Sequence, residues 1–126
     1  MCLSRLFVIM VALISLGCQK GYPTLEPSDP KEFHILAETQ RFAGMLGKKI
    51  RGEITDERYM VPSDPDPRLY VPAAGWYVNG TCYYWRKIVL ERDEAYGTAL
   101  ARHEVCHSVA REHKSKEFLE CESSLR

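Results

Sequence analysis

The chain begins with a stretch that has no polar face at all. Leu6 to Leu16 is a mainly apolar run of eleven residues, too short to cross a bilayer as a helix. A proline-rich stretch follows, and Pro23, Pro27 and Pro30 predict an extended, stiff connector over 18–30. From Asp29 a helical period takes over. Asp29 suits the N-cap and Pro30 the first helical position. Phe33, Leu36, Ala37, Ala43 and Leu46 give a rough apolar stripe, and Gly47 is a natural stop. His34 falls in this helix and reads as a surface or packing residue.

The middle of the chain changes period. Lys48 to Val61, with Ile50, Ile54, Tyr59 and Val61, fits a short strand or a loop equally well. Pro62 to Pro72, with Ser-Asp-Pro-Asp-Pro inside it, is excluded from a helix or a central strand and predicts a surface loop beside the cleft. Gly75-Trp76-Tyr77-Val78 favours a strand, and Asn79-Gly80 is a strong hairpin signal. Thr81 to Leu90 then reads as the returning strand, with Trp85-Arg86-Lys87 as a charged, exposed edge. Asp93 is the predicted N-cap of a further helix, with Glu94 in its first turn. Its apolar residues spread over nearly all faces, which marks a buried helix. Lys114 to Leu125 predicts a short charged helix with Phe118 and Leu119 packing back. Glu117, Glu120 and Glu122 read as its solvated face.

That buried helix carries the chemistry. It contains His103-Glu104-Val105-Cys106-His107, with His113 six residues further on. Residues four apart lie on one face of a helix, one turn above the other. His103 and His107 therefore aim two imidazoles at one point, as two ligands of a tetrahedral Zn²⁺. Glu104 lies about 100° round the helix from His103. There it can act as a general base without ligating. A catalytic zinc needs three protein ligands and an open position, and His113 is the candidate third. Continuing the helix would carry it about 240° round from His107, so the helix must stop and the chain must turn back. No Gly or Asn stands at 110–112 to make a left-handed cap.

These residues fit HExxHxxxxxH, and the stretch resembles the zincin metallopeptidases. Their spacing is also that of the metzincins. Ala110 stands where metzincins have Gly, however, and no Met follows His113. The pattern is closest to the short SprT-like, WLM and YgjP-like zincins, in which an aromatic starts a further helix soon after the motif, here Phe118. The resemblance implies an α+β fold: a small zincin-like domain over 31–126 with an N-terminal helix and a short antiparallel or mixed sheet. A buried motif helix and a short C-terminal helix complete it. It also implies that the sheet edge preceding the motif helix, here Arg86–Leu90, binds an extended peptide. A gluzincin-like alternative would take one of Glu117, Glu120 and Glu122 as third ligand.

Composition narrows the function further. Lys plus Arg and Asp plus Glu both number 17, so charge gives no reason to expect nucleic-acid binding. Arg5 and the apolar run read as a signal peptide over 1–17. Gly17-Cys18 at its end resembles a bacterial lipobox, with Cys18 lipidated after cleavage and the domain held at a membrane. An exported chain meets oxidising conditions. Of the five cysteines, Cys82 and Cys121 lie in the domain and outside the motif helix, and they are the expected disulfide. Two functions follow. One is an exported, lipid-anchored zinc endopeptidase acting on a protein or peptide substrate. The other is a non-catalytic surface lipoprotein that uses the metal to hold a small domain together, which four protein ligands would mark.

The lipidation reading is tested by feeding cells a labelled fatty acid. The label should tag the wild-type chain and not Cys18→Ser; equal labelling of both would rule it out.

Overall fold

The computed structural model describes residues 22–126. The expected signal peptide and the lipidation at Cys18 lie outside the described residues. The first helix, α1 (Pro30–Met45), starts as its sequence dictates. The Asp29 carboxylate accepts from the Lys31 amide at 2.9 Å, and the Glu32 carboxylate accepts from the Asp29 amide at 3.2 Å. The reciprocal pair closes a capping box. Gly47, at φ 66°, follows the helix end.

The buried face of α1 matches the predicted stripe only in part: Ala43 is buried and Leu36 and Leu46 pack against the core, but Ala37 is exposed. Phe33 is 55% exposed, and the face turned inward carries Glu32, Ile35, Thr39, Phe42 and Ala43. Two of those are polar, which is why apolar periodicity misplaced part of the face. Each has a partner from distant sequence. The Thr39 hydroxyl donates to the Ile35 carbonyl at 2.8 Å and lies 2.6 Å from the buried Tyr84 hydroxyl. Glu32 pairs with Arg86. Burial opposes its charge, but hydrogen bonds from Arg86, Ser28 and Asp29 outweigh that and hold its carboxyl below the ordinary value.

The sheet has three strands in the order β1 (Arg51–Thr55), β5 (Thr81–Trp85), β4 (Gly75–Val78). β1 runs parallel to β5, and β4 antiparallel to it, so the sheet is mixed. The β4–β5 turn is Asn79-Gly80, with φ 47° and 85°, the positive values that a two-residue hairpin of type I′ requires. β2 (Met60–Pro62) and β3 (Tyr70–Pro72) form a separate antiparallel pair that brackets the proline-rich loop. The described part of the connector before α1, residues 22–29, lies against the domain. The Leu25 amide donates to the Ile54 carbonyl at 2.8 Å, and the Tyr22 ring meets Trp76 and Tyr83 edge-on at 5.3 and 5.1 Å.

The returning strand is shorter than predicted. β5 ends at Trp85, and Arg86–Glu91 is a helix, α2. The Arg86 guanidinium turns inward to Glu32 and donates to the Glu26 carbonyl at 2.8 Å. Arg86–Leu90 is therefore not a sheet edge; the free edge beside the cleft belongs to β4. The motif helix, α3 (Glu94–Cys106), begins at Asp93, whose side chain accepts from the Tyr96 amide. It packs across α1 and against β4. The last helix, α4 (Lys116–Ser124), is capped by Ser115 and buries Phe118 and Cys121, while Leu119 points to solvent.

The expected Cys82–Cys121 disulfide does not form. Cys121 is bonded to Cys106, their Cα atoms 5.7 Å apart, and Cys82 is free and buried on the central strand. α4 lies on α3, so the thiol of the motif helix is the one within reach. The fold is thus α+β, with four helices and two small sheets among the described residues. Among the described residues no helix is long and apolar enough to cross a membrane.

α1 and α3 are also joined by Glu38, which takes hydrogen bonds from Arg41 and from the Thr98 hydroxyl. The Arg41 bond leads, and the carboxyl is held down at about 2. A depressed carboxyl stabilises the fold above its unfolded value and loses that contribution as pH falls toward the folded one. Glu38→Gln should therefore cost about 1 kcal/mol near neutral pH, a value reduced because Arg41 is exposed. The cost should disappear by about pH 2; denaturant titrations across that range measure it.

Candidate metal centre

α3 stops immediately after the second half of the motif. His103 lies in its last turn and His107 is the C-cap residue. The chain leaves through successive three-residue turns: the His107 amide donates to Glu104, Ser108 to Val105 and Val109 to Cys106, at 2.9–3.1 Å. These bonds tighten the helix end without a left-handed residue. The missing Gly or Asn at 110–112 is no obstacle, and Asn79 is the one positive-φ non-glycine among the described residues. The reversal brings His113 back over α3. Its ring centroid is 4.8 Å from those of both His103 and His107.

The three imidazoles offer ligand atoms that all lie within 4.8 Å of one another. The closest are His107 Nε2 and His113 Nε2, 3.0 Å apart. Nitrogens about 2.05 Å from a tetrahedral Zn²⁺ are about 3.3 Å from each other, so the group fits an ion with only small ring movements. Hydrogen bonds orient the rings for this. His107 Nδ1 donates to the Ala110 carbonyl at 3.2 Å, which leaves the lone pair on Nε2. His103 Nδ1 is 3.0 Å from Glu122 Oε2, so its Nε2 is likewise the free nitrogen. Two lone pairs at 3.0 Å need a proton or a cation between them. Burial lowers the pKa of His103 against the pull of Glu122, and that of His107 against the Ala110 carbonyl. Both shifts favour the neutral, ligating form.

Glu104 is 4% exposed. Burial, then the charge of Glu122, pushes its carboxyl up to about 8. It faces the wall made by β4, and Gly75 makes that approach possible. A Cβ at Gly75 would lie 3.3 Å from Glu104 Cγ and 3.0 Å from the Tyr83 carbonyl. Beneath the triad, Phe118 sets its ring 5.0, 4.8 and 5.5 Å from His103, His107 and His113.

The triad and Glu104 open on a cleft of about 1020 Å³. One wall is the β4 edge, Gly75 to Val78. The β2–β3 hairpin contributes Val61, Pro62 and Val71 together with the polar Ser63 and Asp64, and Tyr59, just before β2, packs on Trp76. Arg111 reaches the cleft as its one non-histidine cation. The predicted site residues His103, Glu104, His107 and His113 are thus brought together. Glu122 is not part of the triad; it acts on His103 from behind. Glu122, Gly75 and Arg111 were not assigned these roles from sequence. Gly75 at the start of a strand was the one signal available, because glycine there permits a close approach.

Searches against protein-family models, curated proteins and solved structures find no match for this chain.

If the three imidazoles form one site, His113→Ala should weaken zinc binding by more than the about 10–100-fold that loss of an outer-shell partner costs. Competition with a chromophoric chelator measures it, and wild-type affinity in the variant would exclude His113 as a ligand.

Proposed function

We propose that this chain is a single-domain zinc peptidase of the zincin kind. The observation that carries the reading is the combination of three convergent imidazoles with a buried, non-ligating carboxylate, all facing one cleft. The donor set supports Zn²⁺: neutral imidazoles suit it, and three of them leave a position open. When bound there, the ion supplies Lewis acidity and makes water a nucleophile near neutral pH. Glu104 takes the proton of the attacking water on its carboxylate and passes it to the leaving amine nitrogen. His103, Nδ1 held by Glu122, and His107, Nδ1 held by Ala110, present fixed nitrogens.

The β4 edge supports a peptide substrate. Its outer hydrogen-bonding groups border the cleft, and an extended chain added alongside would be held by main-chain bonds regardless of sequence. A structural-metal lipoprotein is the weaker reading. A closed site needs a fourth protein ligand, and the nearest carboxylate of α4, Glu122, is bonded to His103. Export and anchoring through Cys18 complete the proposal, placing the peptidase at a bacterial membrane on its outer side.

Glu104→Gln keeps the shape and cannot accept the proton. It should retain zinc and fold while losing about 10² to 10⁴ in turnover on an unstructured protein substrate. Cleavage at the wild-type rate would remove Glu104 as the base; absence of cleavage by zinc-loaded wild type across a broad peptide library would favour the structural-metal reading.

A further inference from the structure

The motif helix holds a cysteine between its two histidines, and that cysteine carries a second assignment. Cys106 is bonded to Cys121. The next residue after Cys121 is Glu122, whose carboxylate sits 3.0 Å from His103 Nδ1. Three residues before Cys121 is Phe118, the ring beneath all three imidazoles. The loop that the disulfide closes contains His107 and His113. One covalent link therefore governs where the third ligand returns, where the carboxylate behind the first ligand sits, and where the ring beneath them lies.

Little else ties α4 down. Its inward residues are Phe118 and Cys121, with Leu125 just beyond the end; Glu122 is half-buried against His103, and the rest of the helix, Leu119 included, is exposed. A nine-residue helix is too short to be stable alone in water. Its position on α3 thus depends on the bond to Cys106 together with that small apolar contact.

We infer that the Cys106–Cys121 disulfide is a positioning element of the metal centre, acting through Glu122 on His103, so that the chain binds its metal tightly only in the oxidised form. The inference rests on the metal reading above. Closure removes two electrons and two protons from the Cys106 and Cys121 thiols. A disulfide oxidant takes them up and leaves as a dithiol. Both cysteines are buried in the folded chain, so closure belongs to folding and precedes metal loading. A chain kept reduced before export would hold its histidines without assembling the centre.

The test uses the full chain in detergent, with zinc affinity measured by chelator competition and site geometry by the visible spectrum of bound Co²⁺. Five forms are compared: wild type, Glu122→Ala, Glu122→Gln, the Cys106→Ala/Cys121→Ala pair, and that pair carrying Glu122→Ala. Glu122→Ala should weaken zinc by about 10–100-fold. Glu122→Gln, which still accepts from Nδ1–H, should recover part of the loss and the wild-type Co²⁺ spectrum. The cysteine pair should lose affinity to a similar extent, and Glu122→Ala added to it should cost no more than about twofold further, because both act by one route. Wild-type affinity in Glu122→Ala overturns the inference, and so does an undiminished Glu122 effect in the cysteine pair. Wild-type affinity in the cysteine pair also overturns it; should the pair fail to fold by circular dichroism, folded wild type reduced by a phosphine takes its place in the same comparison, with and without Glu122→Ala. Wild type that binds neither ion defeats the metal reading itself, which is distinguishable because positioning fails only where wild type binds.

Discussion

A helix that sets His103 and His107 on one face cannot also set His113 there, and the structure is arranged around that constraint. His113 lies ten positions after His103, and a continued helical path would lead away from the other two imidazoles. α3 therefore ends at Cys106, the chain reverses through hydrogen-bonded turns, and α4 returns across the same helix. The reversal costs backbone entropy that a short polar loop cannot recover by burial. The disulfide offsets it. Closing a loop between residues 15 apart removes about 3 kcal/mol of unfolded-state entropy in the chain-entropy account. In a domain this small, that is a sizeable share of the whole stability.

The other demand is electrostatic. The centre places the buried carboxyl of Glu104 beside the half-buried rings of His103 and His107, and each buried polar group has to be partnered or lose its charge. Away from the site the fold satisfies this with pairs: Glu32 with Arg86, and Thr39 with Tyr84. At the site it does so incompletely. Glu104 has no cationic side chain against it, and its carboxyl is driven upward. A cation held by the three histidines would relieve that, since a nearby positive charge favours the ionised form.

The cleft gains its shape from two elements that owe little to the helices. β4 is an edge strand because β5 takes β1 on its other side. The β2–β3 pair stands apart from the main sheet and exposes Met60, Leu69, Tyr70 and Val71. Between them run the walls above the triad, with Tyr59 lying across Trp76 at 5.4 Å. The indole nitrogen of Trp76 is buried and has no hydrogen-bond partner among the described residues.

Local rules were enough for much of this. Asp29 and Pro30 start a helix, Asn79-Gly80 turns a hairpin and Asp93 caps the motif helix, because each acts on atoms within a few residues. The spacing of His103, Glu104 and His107 likewise follows from helical geometry. His113 was readable as a candidate by its offset, but how it returns depends on turns that need no special residue. What the sequence left open was decided at long range. The inward face of α1 depends on Arg86 and Tyr84, 54 and 45 residues from their partners Glu32 and Thr39. The same Arg86 ends β5 and makes α2. The disulfide and the role of Glu122 depend on where α4 lies against α3, and nothing local to Cys82, Cys106 or Cys121 distinguishes one pairing from another. A partner's identity is a property of the packed structure, since many pairings satisfy the chain locally and only one brings the atoms within reach.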